Sequence, residues 1–191
     1  MRILAHFVGP VLLAVAVGLL SPVAAQDTTQ NVRAQPGYVD FGSVESWFDA
    51  DATVEINLKG SLLNLVASAS EHSDPEFSQL VRSLSAIQVR GFPTQGVSSQ
   101  VLEDRARRLT SMLEDQGWER ALYVQEAGET SHIYVRRTGE DIAGLTLLST
   151  NPDSESVFVN IVGSIRPEQI HKLGRELEIE RLENVETSRQ Q

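Results

Sequence analysis

The chain contains no cysteine. Disulfide staples, the usual support of small secreted domains, are therefore excluded, and stability has to come from a packed core. Anchoring through a lipid-modified cysteine after an apolar leader is excluded too. Long hydrophobic runs are scarce: the main one, Phe7 to Leu20, is broken by Gly9, Pro10 and Gly18. It is shorter than the ~20 residues needed to span a bilayer core. Excess positive charge is also lacking, since the formal net charge is −10. Without a basic footprint, sequence-independent nucleic-acid binding and docking on anionic lipid are not expected.

What is present begins with an export pattern. Met1-Arg2-Ile3-Leu4-Ala5-His6 is a short basic start, the apolar run follows, and Ser21-Pro22-Val23-Ala24-Ala25 supplies a small-residue cleavage site. This order predicts a secretory signal over residues 1–25, cut before Gln26. Removing 25 of the 191 residues leaves 166, enough for one domain with an adequate core. Stable membrane insertion after cleavage is not expected, and the expected location is periplasmic or secreted.

Residues 26–35 are polar and aperiodic and read as a flexible leader. Tyr38, Val39 and Phe41 suggest a short strand, and Val44, Trp47 and Phe48 a turn carrying aromatics inward. Val54 to Leu58 alternates apolar and polar, the period of a half-buried strand. Gly60-Ser61 opens a helix with Ser61 as candidate N-cap, and Asp74-Pro75 opens a second helix. Phe77, Leu80, Val81 and Leu84 form the inner face of that second helix. A strand near 85–92 follows. Ser99 is the candidate cap of a long helix whose stripe is Leu102, Ala106, Leu109 and Leu113, ending at Gly117. Its Arg105, Arg107 and Arg108 lie beside Glu103 and Asp104 and read as a solvated face with local ion pairs.

From Trp118 to Gly163, strands alternate with turns at Ala127-Gly128-Glu129, Thr138-Gly139-Glu140-Asp141 and Asn151-Pro152-Asp153. Connections this short require antiparallel neighbours, hence a four-stranded meander. Ile170, Leu173 and Leu177 predict a closing helix, and the tail from 178 to 191 is charged. The expected fold is therefore α+β: an antiparallel sheet with this meander in its C-terminal half, and three to four helices packed on one face. One domain is expected over residues 36–177. Val54 to Leu62 and Val157 to Ile165 echo each other at Val, Asn, Gly and Ser, each read as strand, Gly-Ser, helix.

Three segments carry a family resemblance. They are the junction Val54 to Leu63, the Gly117-Trp118-Glu119 strand start, and the closing Val159 to Ile170. The chain resembles the DUF4252 family, bacterial exported domains of unknown function. That resemblance implies an exported bacterial protein with an α+β fold, and it brings no catalytic residues with it.

No catalytic or metal signature stands out. His72, His132 and His171 lie in a loop, a strand and a helix, without the paired spacing of a zinc site. Asp74 beside His72-Ser73 is accounted for as a helix cap. Asp49-Ala50-Asp51 with Glu55 is acidic but lacks the glycine and terminal Glu of a calcium loop. No Gly-x-Ser-x-Gly elbow or phosphate loop occurs, so no catalytic residues, metal or cofactor are assigned. The meander offers a surface instead. With Ile133 and Val135 pointing inward, His132, Tyr134 and Arg136 share the opposite face, joined by Tyr123 and Gln125 of the neighbouring strand. Tyr and Arg are enriched at binding hot spots. The expected function is a non-catalytic binding domain of the bacterial envelope, acting on an envelope protein through a sheet face or edge. The alternatives are a periplasmic hydrolase and a sensing module linked to a sigma or anti-sigma regulator.

Overall fold

The computed structural model describes residues 32–46, 48, 50–126, 128–170 and 172. The signal, most of the leader, Trp47, Asp49, His171 and the closing helix beyond Lys172 lie outside the described residues. Within them, helix α1 (Phe41–Glu45) precedes strand β1 (Val54–Lys59). Helices α2 (Ser61–Ser70) and α3 (Pro75–Ser83) lead to β2 (Leu84–Pro93). Helix α4 (Ser99–Asp115) then leads to β3 (Glu119–Glu126), β4 (Glu129–Thr138), β5 (Asp141–Thr150) and β6 (Glu155–Ile165). A 3-10 turn, Pro167–Gln169, follows.

The six strands form one sheet in the order β1-β2-β6-β5-β4-β3. Every pairing is antiparallel, and β3 to β6 make the expected meander. The α+β class holds. The helices, however, do not pack on one face. Leu63 and Ala67 of α2 and Phe77, Leu80 and Val81 of α3 share a core with Val159 and Ile161. Ala106, Leu109 and Leu113 of α4 share a different core with Phe158 and Leu148. Side chains alternate across a strand, so these two cores lie on opposite faces. The first is called the α2/α3 face and the second the α4 face below.

Topology explains the split. The β1-to-β2 link joins neighbours and needs only to cross their own edge of one face. The β2-to-β3 link must pass three intervening strands, roughly 19 Å at normal strand spacing. Helix α4, with 17 residues, is roughly 25 Å long and suffices for that crossing. The inner strands accordingly carry near-continuous apolar runs, as strands buried on both faces do. Phe48 stacks on Phe92 at 4.4 Å, and Phe158 meets Phe41, Phe48 and Phe92 edge-on.

The segment before α1 is packed rather than extended into solvent. Val32 is buried with Ala86 and Val162, so ordered packing starts inside the stretch read as a leader. Asn160, fully buried on β6, holds this strap. Its Oδ1 accepts from Val39 N at 3.1 Å. Its Nδ2 faces Gly37 O at 3.0 Å, Leu145 O at 3.3 Å and Thr146 Oγ1 at 3.1 Å. A Cβ on Gly37 would overlap the Ala143 carbonyl, so only glycine permits this approach to β5.

Several local expectations are corrected. Residues 38–40 are not strand, and Phe41 begins α1, which Asp40 caps by accepting from Gly42 N. Gly60, not Ser61, occupies the N-cap of α2, and no side chain caps it. Ser98 rather than Ser99 caps α4, accepting from Val101 N. Asp74 caps α3 as expected, accepting from Phe77 N at 2.9 Å. The internal echo diverges in structure. Gly60-Ser61 joins strand to helix, whereas Gly163-Ser164 lies inside β6, where Gly163 takes φ 146° against the irregular start of β2.

Candidate interaction surface

Residues His132, Tyr134 and Arg136 do share one face of β4, but that face is the one α4 crosses. Tyr134 is 0% exposed and belongs to the α4-face core. Its hydroxyl donates to Glu114 Oε1 at 2.8 Å. Burial first, and that hydrogen bond second, push the Tyr134 phenol up to about 12. Arg136 donates through Nη1 to the Gly117 carbonyl, tying β4 to the end of α4. Tyr134 is therefore core rather than surface, while Arg136 is half-buried beside the end of α4. The covering helix was visible in the sequence, but not the face it covers.

His132 and Tyr123 remain together at the rim. Their rings lie 4.9 Å apart at 55°, and Tyr123 is 49% exposed. The Tyr123 hydroxyl donates to Gln125 Oε1 at 3.1 Å. His132 Nδ1 is buried without a hydrogen-bond partner. Desolvation, helped by the Arg120 charge and opposed by Glu114, holds its pKa below the ordinary value.

The two described histidines do not converge on one place. His72 is exposed in the α2–α3 connection, and His132 lies on the opposite side of the sheet. Asp74 serves Phe77 N and Lys172 Nζ, the latter at 2.7 Å, rather than His72. A cleft of about 790 Å³ is lined by Glu45, Asp51, Glu55, Phe48 and Phe92. Arg90 pairs with Glu45 at 2.8 Å and Glu55 at 2.9 Å, so one cation is shared by two of these three carboxylates. Among the described residues, no group of three His, Cys, Asp or Glu side chains is placed to hold a metal. No helix among them is long and apolar enough to cross a membrane.

A second surface, unremarked in the sequence, lies at the other end of the sheet. Strand β1 is an edge strand, with Val54 37% and Ile56 41% exposed. Helix α2 carries Leu62 and Leu65 at 48% and 66% exposure. Their position follows from the packing. Helix α2 lies over β1 and β2, and α3 over β2 and β6, so α3 sits on the inner side of α2. The Arg82–Glu71 ion pair at 3.1 Å and the Ser78 Oγ bond to Ala67 O at 2.7 Å mark that inner flank. Leu62, Leu65, half-buried Val66 and Ala69 form the other flank, which therefore faces out beyond β1. Helical spacing alone groups Leu62, Leu63, Leu65, Val66 and Ala69 as one apolar side of α2. The excess of apolar residues around α2 was the available signal.

A family model described as a domain of unknown function, DUF4252, matches residues 47–173. The chain belongs to this family. The DUF4252 span holds all six strands together with α2, α3 and α4. The strap over residues 32–46 precedes the span, yet it is gripped by Asn160 inside it. No curated protein and no solved structure matches the chain.

Proposed function

We propose that this DUF4252 protein is an exported, periplasmic or secreted protein of the bacterial envelope that works as a non-catalytic binding domain. The observation that carries this reading is the β1–α2 border. An open strand edge offers unpaired backbone groups, and natural sheets usually blunt such edges with charge or cover them. Here the edge carries Glu55 and Lys59 but also runs beside exposed Val54, Ile56, Leu62 and Leu65. Contiguous apolar surface next to an open edge suits strand addition backed by hydrophobic contact. Export is supported by the basic start, apolar run and Ala-ending cleavage pattern of residues 1–25. A histidine-based hydrolase is disfavoured by the placement of His72 and His132 on opposite sides of the sheet.

The test is a cross-linking capture from intact envelopes, read by mass spectrometry with each variant. Ile56→Ser and Leu65→Ser are expected to lower capture of the same partner by about tenfold or more, as loss of interface anchors does. Tyr123→Ala, at the far edge, is expected to leave capture unchanged. Capture that ignores both β1–α2 variants would overturn the assignment.

A further inference from the structure

We propose that the β1–α2 border binds a second copy of this chain, the two β1 strands pairing antiparallel about a two-fold axis at Asn57. This rests on the reading of that border as the binding surface, and it names the occupant. The first ground is charge. A two-fold pairing that keeps each sheet face continuous must be centred on a residue, since a one-residue slip would swap the faces. Centring on Asn57 sets Glu55, which also pairs with Arg90 of its own copy, opposite Lys59 of the second copy, twice over. It also sets Ile56 opposite Leu58 on the other face. Strand β1 is thus complementary to its own reverse, and opposite charges across a strand pair are favourable. Centring on Ile56 would leave Lys59 without a carboxylate opposite.

The second ground is spacing. The axis would lie half a strand spacing outside β1, roughly 2.4 Å. Helix α2 lies over both β1 and β2, so its axis falls roughly another 2.4 Å inward. The two α2 helices would then run antiparallel roughly 10 Å apart, the distance at which helices pack side chain to side chain. The flanks that meet are the exposed ones, Leu62, Leu65, Val66 and Ala69. Helices directly above β1 would clash, and helices farther in would leave a gap.

The experiment is sedimentation of the processed protein across a concentration series, alongside variants. Wild type is expected to dimerise, and Leu65→Glu, at a side chain 66% exposed, to sediment as a folded monomer by circular dichroism. Glu55→Lys alone and Lys59→Glu alone are each expected to self-associate at least about tenfold more weakly, because each repeats a like-charge pair twice. Mixed together, the two variants are expected to form heterodimers, since every cross-strand pair is then opposite in sign. The absence of native cysteine allows a register test. Asn57→Cys is expected to give a covalent dimer on mild oxidation, since directly facing Cβ atoms at the close end of the cross-strand range, about 4.5 Å, are within reach of a disulfide. Cross-linking through Ile56→Cys or Leu58→Cys instead would overturn the register. A wild-type monomer at every concentration would overturn the dimer. If Leu65→Ser nevertheless lost an envelope partner, the binding-domain reading would stand and only its self-partner would fall.

Discussion

The Tyr134 hydroxyl donates to Glu114 Oε1 at 2.8 Å, bolting the middle of β4 to the last turn of α4. Tyr134→Phe removes that bond without opening a cavity and is expected to destabilise by about 1 kcal/mol. Tyr134→Ala empties a fully buried site and is expected to destabilise by about 4 kcal/mol. Urea unfolding measures both. The phenol prefers its neutral form in the folded protein, so its contribution is complete below pH 10 and is lost as pH rises from 10 toward about 12. The gap in stability between wild type and Tyr134→Phe should therefore shrink above pH 10, whereas a surface tyrosine would show no such gap at any pH.

His132 titrates in the opposite sense. Burial disfavours its charged form, so its folded pKa lies below 6.5. The stability it contributes is complete above pH 6.5 and is lost as pH falls through that lower folded value. Replacing it with Phe keeps a ring against Tyr123 and removes the titration. The stability of His132→Phe should consequently fall less than that of wild type between pH 6.5 and 5. A nuclear magnetic resonance titration of His132 with a midpoint at or above 6.5 would refute the assignment.

The strands of the meander are legible because their signals are local. Gly128, Gly139 and Asn151-Pro152 punctuate alternating runs, and turns that short leave antiparallel pairing as the one arrangement. The α4 stripe of Leu102, Ala106, Leu109 and Leu113 is local too, and all four residues are buried. What covers what is not local. Whether Tyr134 faces water depends on β2 inserting between β1 and β6, which sends α4 across the far face. No window around Tyr134 holds that information. The run from Val157 to Val162, apolar but for Asn160, did carry a hint, since a strand wet on one face would alternate. The β1–α2 border was hidden for a related reason: helical periodicity locates an apolar stripe but not the fraction of it that a neighbour covers.

Asn160 offers a sharper test of the strap. All its polar atoms are engaged in a fully buried site. Asn160→Leu, similar in size, strands the Val39 amide and the Gly37 carbonyl away from water. The expected loss is about 3 kcal/mol or more, the range for orphaned buried polar groups. Gly37→Ala should act on the same contact from the other side, by driving the strap off β5. Hydrogen exchange then distinguishes a local effect from a global one. Both variants should speed exchange at Val39 before they alter exchange in β5 or β6.

Asp74 joins two tasks, the N-cap of α3 and an ion pair with Lys172 at 2.7 Å. The Lys172 hydrogen bond, then the Phe77 amide, hold the Asp74 carboxyl below its usual 3.8, and Lys172 is raised in turn. Asp74→Asn separates the tasks, because asparagine caps a helix about as well as aspartate but carries no charge. A carboxylate with a depressed folded pKa contributes stability above its unfolded value, and that contribution is lost as pH falls through the folded one. Wild type should therefore unfold at higher urea than Asp74→Asn at pH 7, and the two curves should merge below pH 3.8. A difference that persisted unchanged into acid would overturn this, because a protonated Asp74 has neither the ion pair nor the charged cap to lose.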